Sequence, residues 1–348
     1  MSWLVIIVIS LLVSGLTSYG LAHYRGRWSV LDLPNPRSLH AAPVPRTGGL
    51  AVLLGILSAG AATFLYTGSM TLGLSLGMIL AALILVAGVS LLDDVRGIGI
   101  ITRLSSHLVA ALLVVSAGLY INTLTIASWS FQPHTLFGII LAILFILWFI
   151  NLYNFMDGMD GLAAGMGVFG FGTFALLGAL AGDPGFSQFN AAIAAACLGF
   201  LLLNFPPARI FMGDVGAASL GFLAAVLTLW ANHRNIFPLW VGVAVFSPFI
   251  VDATWTLVRR IMRGRKPWEA HREHVYQRLI LMGWSHRKTL FLECVLMAIC
   301  SAAALIMVNN GRRAVEWSTW GSLAVMYGAL IVVINFVESR RNTRNAAQ

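Results

Sequence analysis

Eleven stretches of mostly apolar residues follow one another along the 348-residue chain, near 2–22, 49–67, 70–92, 104–120, 136–150, 162–181, 190–205, 215–231, 237–258, 289–309 and 319–337. A helix crosses the hydrocarbon core of a bilayer with about 20 apolar residues, so each stretch is a candidate span. Composition points the same way, with 59% hydrophobic residues against 10% charged. A soluble domain carries about a quarter charged residues, and 22 Lys+Arg with 13 Asp+Glu cannot cover a globule of this size. The expected fold class is an all-α polytopic membrane protein. Cys197, Cys294 and Cys300 lie inside apolar stretches without CxxC spacing, which suits packing better than a disulfide or a thiolate metal site.

With eleven spans and no basic residue ahead of the first, the N-terminus is expected outside and the C-terminus in the cytoplasm. That arrangement puts 19 of the 22 basic residues on the cytoplasmic side. Only Arg234, Arg312 and Arg313 face outward. The cytoplasmic connections fall near 23–48, 93–103, 151–161, 206–214 and 259–288, too short for a second domain, so 1–348 reads as one integral-membrane unit. The net charge of +9 follows from this topology and from attraction to anionic lipid head groups, and asks for no nucleic acid. A cellular membrane is the expected location, and a homodimer is left open.

The acids are more informative, because no topological rule asks for them. Asp32, Asp93, Asp94, Asp157, Asp160, Asp214, Asp252, Glu269 and Glu273 all fall on or near the cytoplasmic side of this topology. Several close or open apolar spans, where a carboxylate costs several kcal/mol unless a cation or hydrogen-bond donor compensates. Asp93-Asp94 ends the third span; two adjacent like charges suit a base, or merely cap the span and pair with Arg96 or Arg103. The run Asn151 to Gly161 holds two carboxamides, Asp157, Asp160 and two glycines, with no basic residue. Such oxygen donors suit a hard cation, and a plain turn needs only one Asp-Gly.

A third cluster runs from Asn204 through Pro206-Pro207 to Gly213-Asp214. Asp214 alone reads as a helix cap, but Asn204 and Arg209 add an amide and a phosphate-binding cation to the same turn. The fourth cluster carries Asp252, five basic residues from Arg259 to Lys266, then His271-Arg272-Glu273-His274. Zinc lacks a third soft ligand there, so the pair of histidines among arginines fits a polyanionic substrate, or a solvated helix on anionic lipid. The first loop, from Asp32 through Arg37 and His40 to Arg46 and Gly48-Gly49, is too rich in proline for a helix; it is a rigid linker or a phosphate wall.

In order along the chain, DLPNPRSLHAAPVPRTGG, LLDDVRG, NLYNFMDGMDGLAAG, NFPPARIFMGDVGAASLGF and HREHVYQRL resemble the motifs of the polyprenyl-phosphate N-acetylhexosamine-1-phosphate transferases, glycosyltransferase family 4. The translocase branch that uses muramoyl-pentapeptide has a triple histidine and a lysine after its acidic pair, whereas this chain reads HREHVYQRL and DDVR. It looks more like the enzymes that start O-antigen lipid intermediates. The resemblance implies transfer of an N-acetylamino-sugar 1-phosphate from a UDP-sugar to undecaprenyl phosphate at the cytoplasmic face. It implies Mg²⁺, or Mn²⁺ in its place, held by Asp214 with help from Asn154. Asp93 and Asp94 would act near the lipid phosphate, Asp157 and Asp160 would orient the sugar nucleotide, and His271, Arg272 and His274 would hold sugar or phosphate groups. A transporter would instead place its ionisable residues near span centres, and a scaffold gives no reason for acid-rich turns.

Overall fold

The computed structural model describes residues 3–24, 30–34, 42–67, 76–126, 129–266 and 271–346. Arg25, Arg27, Asn35 to His40, residues 70–75 of the expected third span, and Glu269 lie outside them. Thirteen helices dominate the described residues: α1 Trp3–His23, α2 Gly48–Thr67, α3 Leu76–Arg96, α4 Ile100–Ser116, α5 Thr135–Met156, α6 Leu162–Leu180, α7 Pro184–Asn204, α8 Gly213–His233, α9 Leu239–Val245, α10 Ser247–Met262, α11 Val275–Leu281, α12 His286–Asn310 and α13 Arg313–Ala346.

Among the described residues each expected span overlaps a helix, with the ninth shared by two and the fourth meeting only the short α4. Nine helices among the described residues are long and apolar enough to cross a membrane. The ninth expected stretch, 237–258, is not one rod but two helices, α9 and α10, bent by 78° at Phe246 just before Pro248. Proline lacks the N–H that would continue the helix, which accounts for the break. The fourth stretch, 104–120, starts and ends earlier than its hydropathy suggests. It is the 17-residue α4, stopped at Ala117-Gly118, where Gly118 has φ +93°. Two small antiparallel pairs were not foreseen: Leu31–Asp32 with Val44–Pro45 in the first loop, and Leu124–Ile126 with Trp129–Phe131 between α4 and α5. β-branched and aromatic residues favour the second.

Helix α8 is the axle of the bundle. Every residue from Val215 to Asn232 is buried, so no polar face is needed. Its small residues let neighbours approach closely. A methyl group added at Gly49 of α2 would run into the backbone of Gly216, and one added at Gly221 would meet the Phe149 carbonyl of α5 at 2.5 Å. Around this axle α2, α3 and α5 are brought together at one end, the end that carries Arg46, Asp94, Asp157 and Asp214. At the opposite end, Arg234 Nη2 lies 3.3 Å from Asp183 Oδ2.

Candidate active site

The acids that close α3 are fastened to the start of α8. Asp94, only 4% exposed, accepts the backbone N–H of Asp214 on Oδ1 at 3.3 Å and that of Val215 on Oδ2 at 3.3 Å. The first N–H groups of a helix have no partner within it, so a carboxylate there is stabilised by hydrogen bonds and by the helix dipole. Arg46 completes this arrangement, with Nε 3.6 Å from Asp94 Oδ1 and Nη2 donating to the Asp94 carbonyl. Arg46 is aimed by a ladder in which Phe211 N–H meets Pro45 O at 2.7 Å and Gly49 N–H meets Met212 O at 2.7 Å.

Asp93 faces the other way. Its Oδ1 accepts Ile98 N–H at 2.7 Å, and its Oδ2 lies 2.9 Å from Arg103 Nη1. The same Nη1 is 3.5 Å from Asp214 Oδ2. Arg103 therefore bridges two carboxylates carried by different helices. Asp93 and the Asn154 amide are also close enough to Asp214 to act on its charge. Two carboxylates this close need a proton or a cation between them. Asp214 is not the helix cap, since Met212 holds that position without a side-chain bond. Gly213 has φ +71°, and a methyl group there would press on Asp94 Oδ2 at 2.9 Å.

Asp157, at the end of α5, joins the group electrostatically. Burial and the nearby charges of Asp214 and Asp94 hold its carboxyl well above the usual carboxylate range. Asp160 and Asn204 serve the backbone. Asp160 Oδ2 accepts Ala208 N–H at 3.1 Å and lies 3.3 Å from His286 Nδ1, at ion-pair distance. The buried Asn204 accepts Gly161 N–H at 2.8 Å and donates to the Ile210 carbonyl at 2.8 Å. Both amide atoms of Asn204 thus clamp the Asn154–Gly161 loop to the Pro206–Asp214 turn. Arg209 is exposed beside that turn.

The histidine loop docks against the same region. Tyr276 O–H donates to the Phe155 carbonyl at 3.3 Å, and a methyl group at Gly158 would strike that hydroxyl. His274 is 5% exposed, with Nδ1 3.1 Å from Asp252 Oδ1, whereas His271 and Arg272 are half-buried. Burial, with His274 and Arg260 nearby, pushes the His271 imidazole down to about 4. Its Nδ1 accepts Glu273 N–H at 3.3 Å, so the neutral ring offers Nε2–H outward. Within the basic run Arg260 pairs with Glu273 and Arg259 shares Glu338 of α13 with Arg278, whereas Arg263, Arg265 and Lys266 are exposed. Arg103 stood in the sequence as a possible partner of the acidic pair, but its reach to Asp214, and the roles of Tyr276 and Glu338, had no sequence signal, because those partners are distant in the chain.

Among the described residues no three of His, Cys, Asp and Glu close around one point as a ready metal cage. The donors present are carboxylate and amide oxygens, the chemistry of Mg²⁺, which keeps several waters and takes one or two protein carboxylates together with phosphate oxygens. The residues fit such an ion without a closed cage.

The model of glycosyl transferase family 4 matches residues 75–232, from the start of α3 to the end of α8, the stretch that holds Asp93, Asp94, Asn154, Asp157 and Asp214. A probable undecaprenyl-phosphate N-acetylglucosaminyl 1-phosphate transferase of Bacillus subtilis is 29% identical over 311 residues, 86% of this chain and 82% of that one. A decaprenyl-phosphate N-acetylglucosaminephosphotransferase of Mycobacterium tuberculosis is 31% identical over 341 residues, covering 88% of this chain and 81% of that one. A phospho-N-acetylmuramoyl-pentapeptide-transferase of Shouchella clausii matches at 32% but over 52% of this chain and 57% of its own. An integral membrane enzyme of transferase type is the class these findings define. The chain belongs to the polyprenyl-phosphate hexosamine-1-phosphate transferase family.

Proposed function

We propose that the chain transfers an N-acetylamino-sugar 1-phosphate from a UDP-sugar to undecaprenyl phosphate at the cytoplasmic face of a bacterial inner membrane, releasing UMP and starting a lipid-linked surface polysaccharide such as O-antigen. The observation that carries this reading is the convergence of Asp93, Asp94 and Asp214 with Arg46 and Arg103 at one end of an apolar bundle. A lipid phosphate arriving through the bilayer and a nucleotide arriving from water can meet there. The long matches to relatives named for N-acetylglucosaminyl 1-phosphate transfer to polyprenyl phosphates support the substrate pair, and the partial match to the muramoyl-pentapeptide enzyme weighs against that donor.

Asp214 with Asn154, and Asp93 across the Arg103 bridge, would hold Mg²⁺, with Mn²⁺ as the alternative. When bound, the ion neutralises phosphate charge so that one anion can approach another. Arg46 and Arg103 add two guanidinium groups to the same neutralisation. Asp93 or Asp94 takes any proton left on the lipid phosphate, whose oxygen attacks the β-phosphorus of the UDP-sugar while the bond to UMP breaks. Direct attack is preferred to an aspartyl intermediate, because the attacking phosphate is largely ionised near neutral pH. Asp157 faces the same centre from α5, Arg272 and the neutral Nε2–H of His271 engage sugar or phosphate oxygens, and Asn204 and Asp160 keep the two loops in register.

Purified protein is incubated with radiolabelled UDP-N-acetylglucosamine and its amino-sugar epimers, undecaprenyl phosphate and Mg²⁺. Label is expected in the lipid fraction with one UMP released per sugar. No lipid label from any UDP-amino sugar would sink the reading.

A further inference from the structure

We infer that Asp252 is a positioning residue for the sugar-nucleotide side of the site, acting through His274 and the first turn of α11. The inference rests on the reading above, in which the His271–His274 loop engages the UDP-sugar.

Asp252 sits in α10 and is 6% exposed. Four donors saturate its carboxylate. Oδ1 takes Val275 N–H at 2.9 Å, His274 Nδ1 at 3.1 Å and Thr256 O–H at 3.1 Å, and Oδ2 takes Tyr276 N–H at 3.3 Å. Three of the four belong to the end of the histidine loop and the start of α11, where free N–H groups and the helix dipole favour an anion.

The His274 ring stacks on Tyr276 at 5.8 Å with 14° between planes, and lies 5.0 Å from His271. Tyr276 in turn reaches the Phe155 carbonyl, next to Asn154. One buried carboxylate therefore fixes the loop that presents His271 and Arg272, and ties it to the loop that faces Asp214.

The test is steady-state kinetics of the full-length protein in detergent, varying UDP-sugar and lipid phosphate separately. Asp252→Asn, which replaces an acceptor by an amide N–H facing other donors, is expected to raise KM for UDP-sugar about tenfold. The kcat and the lipid KM should stay within about threefold. His274→Gln should show the same split, and the double variant should be no worse than the more impaired single variant, because residues acting as one unit are not additive. An unchanged UDP-sugar KM in Asp252→Asn, or multiplied losses in the double variant, would overturn the assignment. If Asp252→Asn does not fold, His274→Gln carries the test alone, and an unchanged KM there is fatal. His271→Ala and Arg272→Ala separate the two levels. If neither raises the UDP-sugar KM, the loop reading itself fails; if they do and Asp252→Asn does not, only the role of Asp252 fails.

Discussion

Arg46 and Arg103 divide the acidic pair between them, one for each aspartate, and Arg103 extends its hold to Asp214. Of these three carboxylates Asp214 therefore has the least dedicated protein partner and the most to gain from a metal. Asp214→Asn is expected to lower turnover about 100-fold, the equivalent of roughly 3 kcal/mol of transition-state charge stabilisation, while the thermal midpoint in detergent stays near wild type. Excess chelator should do the same to the wild type. Full turnover in either case would remove the metal from the scheme. His271 gives a pH prediction. Its proton affinity is depressed in the folded state, to about 4, so the unfolded chain takes up a proton that the folded chain refuses. Stability is thus intact above about pH 6.5, the ordinary histidine value, and falls as pH drops toward 4. His271→Gln should flatten the thermal midpoint across that window and change nothing at pH 8. An unaltered slope would show that His271 titrates normally.

At the level of elements, close approach of α2 and α8 sets the site. Gly48-Gly49 read in the sequence as a wall for phosphate, yet a side chain on Gly49 has no room against Gly216. Gly49→Ala should cost about 1–3 kcal/mol as overpacking and lower the thermal midpoint. It should also lower kcat, because the 45–49 ladder that aims Arg46 must shift. Wild-type kcat in a folded Gly49→Ala variant would show that Arg46 needs no such aim. The acids were legible because topology explains arginines but leaves carboxylates at span ends unexplained. Of their pairings, Arg103 with Asp93 was legible as one alternative, while the long-range ones were not. Arg103 is ten residues from Asp93 but 111 from Asp214, and Asp252 meets its loop 22 residues away, distances that only the folded bundle closes. The break at Phe246 and the short α4 were likewise hidden, since hydropathy averages over a window and records neither a bend nor a glycine stop.

For the whole molecule, Arg46, Asp94, Asp157, Asp160 and the histidine loop share one end of the bundle, and Asp183 with Arg234 marks the other. Cysteine labels placed in the loops after Asp94, Asp160 and Arg265 should react only from the cytoplasm, and one beside Asp183 only from outside, as expected from the 19 of 22 basic residues that the alternating topology assigns inward. Labelling of the loops after Asp94 and Asp160 from opposite sides would break the single-site scheme.

Glu338 gives this bundle an order of assembly in time. The buried guanidinium of Arg278, in the helix that follows the histidine loop, finds its carboxylate only in the last helix, 60 residues later. During synthesis chains fold from the N-terminus onward. The acidic centre, complete once α8 has been made, therefore exists before the loop beside it can be locked. A nascent or truncated chain that ends before residue 338 lacks the carboxylate that pairs with Arg278. Completion of the polypeptide is thereby built into the geometry as a condition for a finished site.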